Sequence, residues 1–373
     1  MAHRKKSVLF VTGTRAEWGL FASTIADLKK SSGISLKVLV TGMHTQRQFG
    51  YTLDEVKKAI RVDCVVPVKD ADDQLTALSK EIDGIGRYLK KNPVDAVVVV
   101  GDRDEPFAAA SAAIHLGIPV IHVSGGDVSG PTVDQYLRNA ITLFSDLHLV
   151  QTEKSKKNVL KLGANPHNTF VVGTPGLNKL KASALASRKV LAKNYHLDSA
   201  KRWLLVSMHP TVLDDAPITT QITSVLSALK KFHKEDEIIL LYPNADEGSS
   251  KFITAIEKLK STSGFSLHTH LPRADYLALM KESAALIGNT SSGLMEAGYL
   301  KVPFVHVGNR QQDRECGPNV IFVDYDAGAI AKGIQKATSP AFSKGIAHRP
   351  SPYKGGDVSR KIVSRIEIFL TTL

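Results

Sequence analysis

A short hydroxyl-rich loop, Thr290 to Gly293, follows an apolar run that ends at Ile287. Free backbone N–H groups at the start of a helix, together with the positive end of the helix dipole, favour bound anions. Glu296 comes four residues after Ser292, so in a helix the two side chains share one face. A carboxylate there can accept hydrogen bonds from the vicinal diol of a ribose. The pattern predicts a nucleotide site, and an ordinary polar turn is the alternative.

Carboxylates gather after the apolar run Val97–Val100, where Asp102 and Glu105 stand three residues apart. Such groups are costly to bury and are usually paired or functional, although a solvated charge cluster is the alternative. The glycine-rich loop that follows adds Asp127 and Asp134. No set of Cys, His and carboxylate residues has a convincing metal-ligand spacing, so we expect neither a metal nor another cofactor. Carboxylates without a metal favour proton transfer.

Two cationic side chains follow apolar runs. Arg15 comes after Val8–Val11, where a guanidinium can donate two hydrogen bonds to a phosphate; a structural turn with an exposed arginine is the alternative. The residues around it lack the GxGxxG spacing of a nicotinamide site. His209, when protonated, could bind a pyrophosphate or assist a leaving group. Backbone groups near Leu271 could pair with the edge of a base.

Apolar, β-branched runs alternate with helical patterns through almost the whole chain, which predicts an α/β fold. The run Val97–Val100 is apolar on both faces, as in parallel sheets covered by helices on each side. The predicted strands are Ser7–Val11, Leu36–Val40, Ala96–Val100, Val120–Val123, Leu147–Val150, Phe170–Val172, Trp203–Ser207, Ile238–Tyr242, Phe265–His268, Ala285–Ile287, Phe304–Val307 and Val320–Val323. The predicted helices are Leu20–Lys30, Leu53–Ile60, Leu75–Lys90, Phe107–Leu116, Lys154–Leu162, Thr219–Phe232, Ser250–Lys260, Ala274–Lys281, Ser292–Leu300 and Val358–Phe369.

The alternation breaks between about Leu177 and Lys201, where a helical connector rich in Lys, Ala and Ser is predicted, and then restarts. This predicts two Rossmann-like domains with a cleft between them. We place an N-terminal domain with the acid/base carboxylates at residues 1–176 and a nucleotide-binding domain at 177–355. A terminal helix at 356–373 is expected to pack back on the first domain. Ligands of open α/β sheets bind beyond the carboxyl ends of the strands, so residues just after each strand are the site candidates.

The net charge of +12 is spread over lysine pairs on polar helix faces, without a basic run interleaved with aromatics, so we expect no nucleic-acid partner. No apolar run is long enough to span a bilayer, and Val8–Val11 is a strand rather than a signal peptide, so no membrane partner is expected. Cys64 and Cys316 form no disulfide framework. These features favour a cytoplasmic enzyme.

Taken in chain order, the motifs resemble those of the hydrolysing UDP-N-acetylglucosamine 2-epimerase family, which forms N-acetylmannosamine or a related 2-acetamido sugar in sialic-acid-type sugar biosynthesis. The matching stretches are TGTRAEWGL (12–20), TGMHTQRQFGYTLDEV (41–56), GDRDE (101–105), the glycine loop 125–130 with Asp134 and Arg138, HP (209–210), YPNADEGS (242–249), LPRADYLALM (271–280) and GNTSSGLMEAGYLKVPFVHVGNRQQDRECGPNVI (288–321). The resemblance implies a glycosyltransferase-B type fold, a UDP-sugar substrate, and a homodimer or homotetramer.

The resemblance also implies roles for single residues. Those expected at the nucleotide-diphosphate site are Arg15, His209, Asn244, Asp246, Ser291, Ser292, Glu296 and Arg310, with Leu271 at the base. Those expected to carry the acid/base chemistry are Asp102, Glu105 and Asp134, with Asp127 close by and His209 assisting the leaving group. Ser124 stands where several members have glutamate, Pro131 is an extra residue, and Asn139 stands where histidine is common. Another carboxylate or water must then replace the glutamate, or else the substrate differs or activity is low.

The implied reaction has two steps. UDP leaves C1 as the C2 proton is removed, giving a 2-acetamidoglucal, and water then adds while a proton reaches the opposite face of C2. A non-hydrolysing epimerase is the first rival function, but its Glu-Ala-Gly loop is replaced here by Ser124-Gly-Gly-Asp127. A retaining glycosyltransferase of the same fold is the second rival, and a nucleotide-sugar-binding protein with impaired catalysis is the third.

Overall fold

Two compact units make up the part of the chain that the computed structural model describes, residues 5–244 and 246–373. The first unit comprises the described residues up to Asp127, together with Val133–Leu180 and Lys354–Leu373. The second comprises Val128–Thr132 and the described part of Lys181–Tyr353. Each unit holds one parallel sheet with its covering helices, so the predicted α/β class is confirmed.

The sheet of the first unit has seven strands in the order β3-β2-β1-β4-β5-β6-β7, all parallel. The strands are β1 Lys6–Thr12, β2 Ile34–Val40, β3 Cys64–Val65, β4 Ala96–Val100, β5 Val120–Val123, β6 Leu147–Val150 and β7 Thr169–Val171. Every residue of β4 is buried, as expected for a strand covered on both faces. The order reverses between β1 and β4, which is where doubly wound sheets bind ligands.

The second unit repeats this order with six parallel strands, β10-β9-β8-β11-β12-β13. The strands are β8 Arg202–Ser207, β9 Asp236–Leu241, β10 Phe265–His268, β11 Ala285–Gly288, β12 Phe304–Val307 and β13 Val320–Val323. The reversal falls between β8 and β11, whose register pairs Gly288 with Ser207. The loops that leave these two strands therefore start side by side.

Helices connect successive strands in both units. They are α1 Arg15–Lys30, α2 Leu53–Ala59, α3 Gln74–Lys91, α4 Asp104–His115, α5 Val133–Leu143, α6 Glu153–Lys161, α7 Arg188–Tyr195, α8 Ile218–Leu229, α9 Ser249–Glu257, α10 Arg273–Glu282, α11 Glu296–Leu300, α12 Ala327–Ala337, α13 Pro340–Ala347 and α14 Val358–Thr371. The terminal helix α14 packs beside α1, since Ile366 and Phe21 belong to one apolar cluster. In the ranges that the structure describes, no helix has the combined length and apolar character that a membrane crossing needs.

The strand β3 and the helices α5, α12 and α13 were not among the predicted elements. Gly328 and Gly333 weaken the helical signal of α12. In the structure Gly333 lets the helix approach the sheet closely, because an added Cβ would lie 3.0 Å from Cγ1 of Val305. This favourable contact depends on a neighbouring strand, so the local sequence does not reveal it.

The predicted helix Ser292–Leu300 is wrong at its start. Ser291–Gly293 form a 3-10 turn, and α11 begins at Glu296. The backbone N–H of Leu294 donates to the carbonyl of Ser291 at 3.0 Å, which is the spacing of the tighter helix. Gly293 packs against Phe304, where an added Cβ would lie 2.3 Å from Cε1 of the ring. Ser292 and Glu296 therefore belong to different elements.

Replacing Gly288 by alanine should destabilise the second unit by about 2–4 kcal/mol, because its φ of 135° disfavours a side chain and an added Cβ would lie 1.9 Å from the carbonyl oxygen of Ser207. Urea unfolding measures this difference. Gly86→Ala is the control: it lies inside α3 with no heavy atom within 4 Å of an added Cβ, and it should gain about 0.5–1 kcal/mol. Equal stability of Gly288→Ala and the unaltered chain would contradict the steric argument.

Candidate functional site

Asp102, the first carboxylate after strand β4, is held by an arginine from helix α5. Nη2 of Arg138 donates a hydrogen bond to Oδ2 of Asp102, and Nη1 donates to the backbone carbonyl of Asp127 at 3.0 Å. The Arg138 side chain is only 2% exposed, whereas that of Asp102 is 26% exposed. The buried guanidinium thus fixes both the accessible carboxylate and the glycine-rich loop. Asp134 lies half-buried in the first turn of α5.

The backbone before Asp102 is held by a buried histidine. The carbonyl of Gly101 can only accept, so Nε2 of His122 is the donor in their 2.8 Å contact. Nδ1 of the same ring then accepts from the Thr142 hydroxyl at 3.2 Å. Burial lowers the pKa of His122 to about 4, so the ring is neutral near pH 7. Gly125 is required by this ring, because an added Cβ would lie 2.7 Å from Nδ1.

Asp127 is buried, and both of its carboxylate oxygens accept bonds from residues around the start of helix α6. Oδ1 accepts from the hydroxyl of Ser155 at 2.6 Å, and Oδ2 accepts from the side-chain amide of Gln151 at 3.1 Å. Gly126 approaches the carbonyl of Ser155 so closely that an added Cβ would lie 2.2 Å from it. The carboxylate of Asp127 therefore anchors the glycine-rich loop.

Glu105 is buried against the exits of strands β1 and β2. An added Cβ at Gly13 would lie 2.2 Å from Cγ of Glu105, and one at Gly42 would lie 2.4 Å from its Oε1. Nε of Arg103 lies 3.7 Å from its Oε2. The structure therefore places Glu105 in a different environment from the half-buried Asp102 and Asp134.

Glu17 and Glu81 share this environment, and the three residues form what we call the buried carboxyl cluster: Glu17, Glu81 and Glu105. Burial, followed by the charge of Glu105, raises the pKa of Glu81 to about 9. The same two causes raise the pKa of Glu17. Oε1 of Glu81 lies 3.0 Å from the hydroxyl of Thr41 at the end of β2. Only Glu105 of this cluster was a candidate from sequence. Glu81 lies within the predicted helix Leu75–Lys90, and Glu17 lies in the turn between the first predicted strand and the predicted helix Leu20–Lys30.

Arg15 is the first residue of α1, directly after the cap formed by Thr14. Its Nε lies 2.9 Å from Oε2 of Glu55 in helix α2. Burial lowers the pKa of the Arg15 guanidinium, and the nearby Glu55 opposes that shift. The side chain is 26% exposed, so it is held at the edge of the first sheet with part of its surface accessible.

In the second unit, the backbone of His209 is held by the side chain of Asn289. Oδ1 of Asn289 accepts from the His209 N–H, and Nδ2 donates to the His209 carbonyl, both at 2.8 Å. Nδ1 of the His209 ring accepts from the Asn244 backbone N–H at 3.2 Å. In the neutral ring the proton therefore resides on Nε2, which can donate. Asn289 is fully buried and was missed from sequence, although it stands directly after β11.

Glu296 is 1% exposed, and its two oxygens have different surroundings. Oε1 accepts from Nη2 of Arg273 at 2.9 Å, whereas Oε2 is buried without a hydrogen-bond partner in the described chain. A buried acceptor without a donor costs roughly 1–3 kcal/mol. The hydroxyls of Ser292 and Thr290 interact with that of Tyr276, whose pKa burial raises strongly. Oε2 is therefore suited to receive a donor from a ligand.

The remaining predicted nucleotide residues lie on other loops of the second unit. Nη2 of Arg310 donates to Oδ2 of Asp246 at 3.2 Å. The carbonyl of Arg310 accepts from the Gly130 N–H at 2.9 Å. Ser291 is half-buried in the 3-10 turn, and Leu271 is buried two residues before helix α10. Within the described ranges, no group of three or more His, Cys, Asp or Glu side chains is arranged to hold a metal ion.

A family model described as UDP-N-acetylglucosamine 2-epimerase matches residues 26–367. The chain belongs to this family. It is 36% identical to the UDP-N,N'-diacetylbacillosamine 2-epimerase (hydrolyzing) of Legionella pneumophila, with 89% of each chain covered. It is 33% identical to the polysialic acid biosynthesis protein P7 of Escherichia coli, with 93% of this chain and 90% of the relative covered. This family member is therefore an enzyme of the UDP-N-acetylglucosamine 2-epimerase family.

Solved structures show the same fold. The UDP-GlcNAc 2-epimerase of Neisseria meningitidis bound to UDP-GlcNAc matches with a TM-score of 0.82 and 22% identity, over 96% of this chain and 99% of that chain. The enzyme of Methanocaldococcus jannaschii in complex with UDP-GlcNAc and UDP matches with a TM-score of 0.82 and 20% identity, over 97% of this chain and 99% of that chain. The glycosyltransferase-B-like fold implied by the resemblance is confirmed.

Glu81→Gln should flatten the dependence of stability on pH. The pKa of Glu81 is about 9 in the folded chain and about 4.5 when unfolded, so folding takes up a proton between these values. The stabilising contribution is complete below pH 4.5 and is lost as pH rises through about 9. Over that window the free energy of unfolding of the unaltered chain should fall by up to about 1.4 kcal/mol more per pH unit than that of the variant.

Urea unfolding at pH 5.5, 7 and 8.5 measures this slope. Glu235→Gln, at an exposed position, is the control and should follow the unaltered chain. Parallel curves for Glu81→Gln and the unaltered chain would show that this carboxyl takes up no proton on folding.

Proposed function

We propose that this family member is a hydrolysing 2-epimerase, which converts UDP-N-acetylglucosamine or a related UDP-linked 2-acetamido sugar to UDP and the free 2-epimer. The observation that carries the nucleotide assignment is the buried Oε2 of Glu296, an acceptor without a partner in the described chain, beside a loop of hydroxyls. This oxygen can accept a hydrogen bond from a ribose hydroxyl. The similarity to a Legionella pneumophila enzyme named as hydrolyzing supports the hydrolytic outcome.

The second unit supplies donors for the diphosphate. Nε2 of His209 can donate because Nδ1 accepts from Asn244. The hydroxyls of Ser291 and Ser292 lie on the loop that leaves β11. Donors that are already positioned stabilise the negative charge that develops as UDP departs from C1. Asp246 and Arg310, which pair at 3.2 Å, and the backbone near Leu271 complete the proposed nucleotide residues.

The first unit supplies the proposed proton transfers. Asp102 removes the C2 proton as the bond from C1 to the UDP oxygen breaks, which leaves a double bond between C1 and C2. Water then adds its hydroxyl to C1, and protonated Asp134 delivers its proton to the opposite face of C2. The remaining proton of that water restores Asp134, and the proton taken up by Asp102 passes to solvent as UDP is released. Asp127 holds the loop through Ser155 and Gln151, and Glu105 holds the strand exits from within the buried carboxyl cluster. Arg15 is proposed to contact the diphosphate.

Turnover of two candidate sugars tests the proposal. UDP-N-acetylglucosamine and UDP-N,N'-diacetylbacillosamine are incubated with the protein in D2O and followed by NMR. We expect UDP, the free 2-epimer and one deuterium at C2. An epimeric sugar still joined to UDP would show the non-hydrolysing reaction, and UDP binding without turnover would show a binding protein.

Asp134→Asn should lower kcat by at least about 100-fold while UDP still binds.

Asn289→Ala should lower kcat/KM by about 10- to 100-fold, because small displacements of a positioned group are costly to catalysis. The variant removes both hydrogen bonds that hold the His209 backbone. Gln221→Ala is a matched control, since Gln221 holds the N–H and carbonyl of Thr211 in the same way, at 3.0 and 2.9 Å. Both variants should lose stability, but only Asn289→Ala should lose most activity. Equal activity losses would indicate a general structural effect.

A further inference from the structure

The ion pair between Arg273 and Glu296 joins the first residues of helices α10 and α11. The side chain of Arg273 is 25% exposed and that of Glu296 is 2% exposed. One guanidinium nitrogen, Nη2, approaches one carboxylate oxygen, Oε1, at 2.9 Å. The pair therefore has a buried carboxylate and a partly accessible arginine, as expected at the edge of a ligand site.

This contact makes the two oxygens of Glu296 unequal. Oε1 already accepts a charge-assisted hydrogen bond, whereas Oε2 is buried without a partner in the described chain. A carboxylate can turn about its terminal bond, so without Arg273 either oxygen could face inward. With Arg273 bound to Oε1, Oε2 is the oxygen that remains available to a ligand.

Tyr276 lies one helical turn after Arg273 and links this carboxylate to the hydroxyl loop. The hydroxyls of Thr290 and Ser292 interact with the phenol, which also lies near the charge of Glu296. Helix α10 thus holds both groups proposed to face a nucleotide, the hydroxyl loop through Tyr276 and the carboxylate through Arg273. Neither α10 residue was a candidate for this role from sequence.

We propose that Arg273 is a positioning residue that makes this site specific for nucleotides with a free ribose diol. By occupying Oε1, it leaves Oε2 to accept from a ribose hydroxyl, and a sugar without that hydroxyl leaves Oε2 without a donor. A site built to hydrogen-bond a hydroxyl strongly disfavours the analogue that lacks it. This inference rests on the proposed function, because it assumes that the nucleotide binds beside Glu296.

The test compares the affinities of UDP, 2′-deoxy-UDP and 3′-deoxy-UDP by calorimetry. The unaltered chain should bind UDP at least about tenfold more tightly than the poorer of the two deoxy analogues. Arg273→Met keeps the apolar length of the side chain but removes the donors. In this variant UDP should bind about tenfold more weakly and the analogues nearly as before, so the preference should fall to about threefold or less. Arg273→Lys, which keeps the charge without the planar fork, should be intermediate.

Turnover adds a measurement that a general structural defect would not reproduce. The ribose contact is the same before and during the reaction, so Arg273→Met should raise KM about tenfold with kcat within about threefold. Arg202→Met is the matched control, since Arg202 pairs with the buried Asp236 at 2.7 and 2.9 Å elsewhere in the second unit. It should lower stability and leave the preference for UDP unchanged.

Two failures are distinguishable. If the unaltered chain does not bind UDP, the proposed function itself is wrong. If it binds and turns over UDP-sugars but shows no preference for the diol, or if folded Arg273→Met and Arg273→Lys both keep that preference, only the role of Arg273 is overturned. Circular dichroism and thermal unfolding establish that each variant is folded.

Discussion

The amide of Asn289 is the contact on which the proposed nucleotide site of the second unit depends. It bridges two loops that are 80 residues apart in the chain, and it does so only because β11 lies beside β8. The left-handed backbone of Gly288 brings the two strand exits together, so that Asn289 reaches both backbone groups of His209. The histidine ring then has one nitrogen engaged by Asn244 and the other able to donate. Gly288 and the buried amide of Asn289 thus set the orientation of the His209 side chain.

In the first unit, the acidic side chains near the ends of the strands are neutralised in two different ways. Arg138 neutralises Asp102 by direct pairing, whereas burial raises the pKa of both Glu17 and Glu81 and so favours the neutral form of each carboxyl group. Both solutions avoid an unpaired buried charge, which a folded protein rarely tolerates. They also explain why carboxylates that look equivalent in the sequence have different surroundings. Asp102 remains partly accessible, but Glu105 is held between two glycines.

Ser124 stands at a position where the resemblance to the family leads us to expect a glutamate. Its φ of 67° lies in the left-handed region, which residues with a side chain rarely adopt, and its N–H donates to the carbonyl of Leu149 at 2.9 Å. A serine hydroxyl does not accept a proton at neutral pH as a carboxylate does. The proposed reaction therefore assigns both transfers to aspartates, Asp102 and Asp134.

The amino-acid sequence by itself determined the alternation of strands and helices, since β-branched apolar runs such as Val97–Val100 are typical of strands buried inside a covered parallel sheet. It also placed the polar candidates after strands, because parallel strands end at a common edge. Tertiary structure alone decided which of these polar groups are partners. Arg138 reaches back 36 residues to Asp102, and Arg273 reaches forward 23 residues to Glu296. Gly293 packs on Phe304 within the 3-10 turn that precedes α11. These pairings and the helix start depend on contacts between segments that are distant in the chain, so they cannot be predicted from the local sequence.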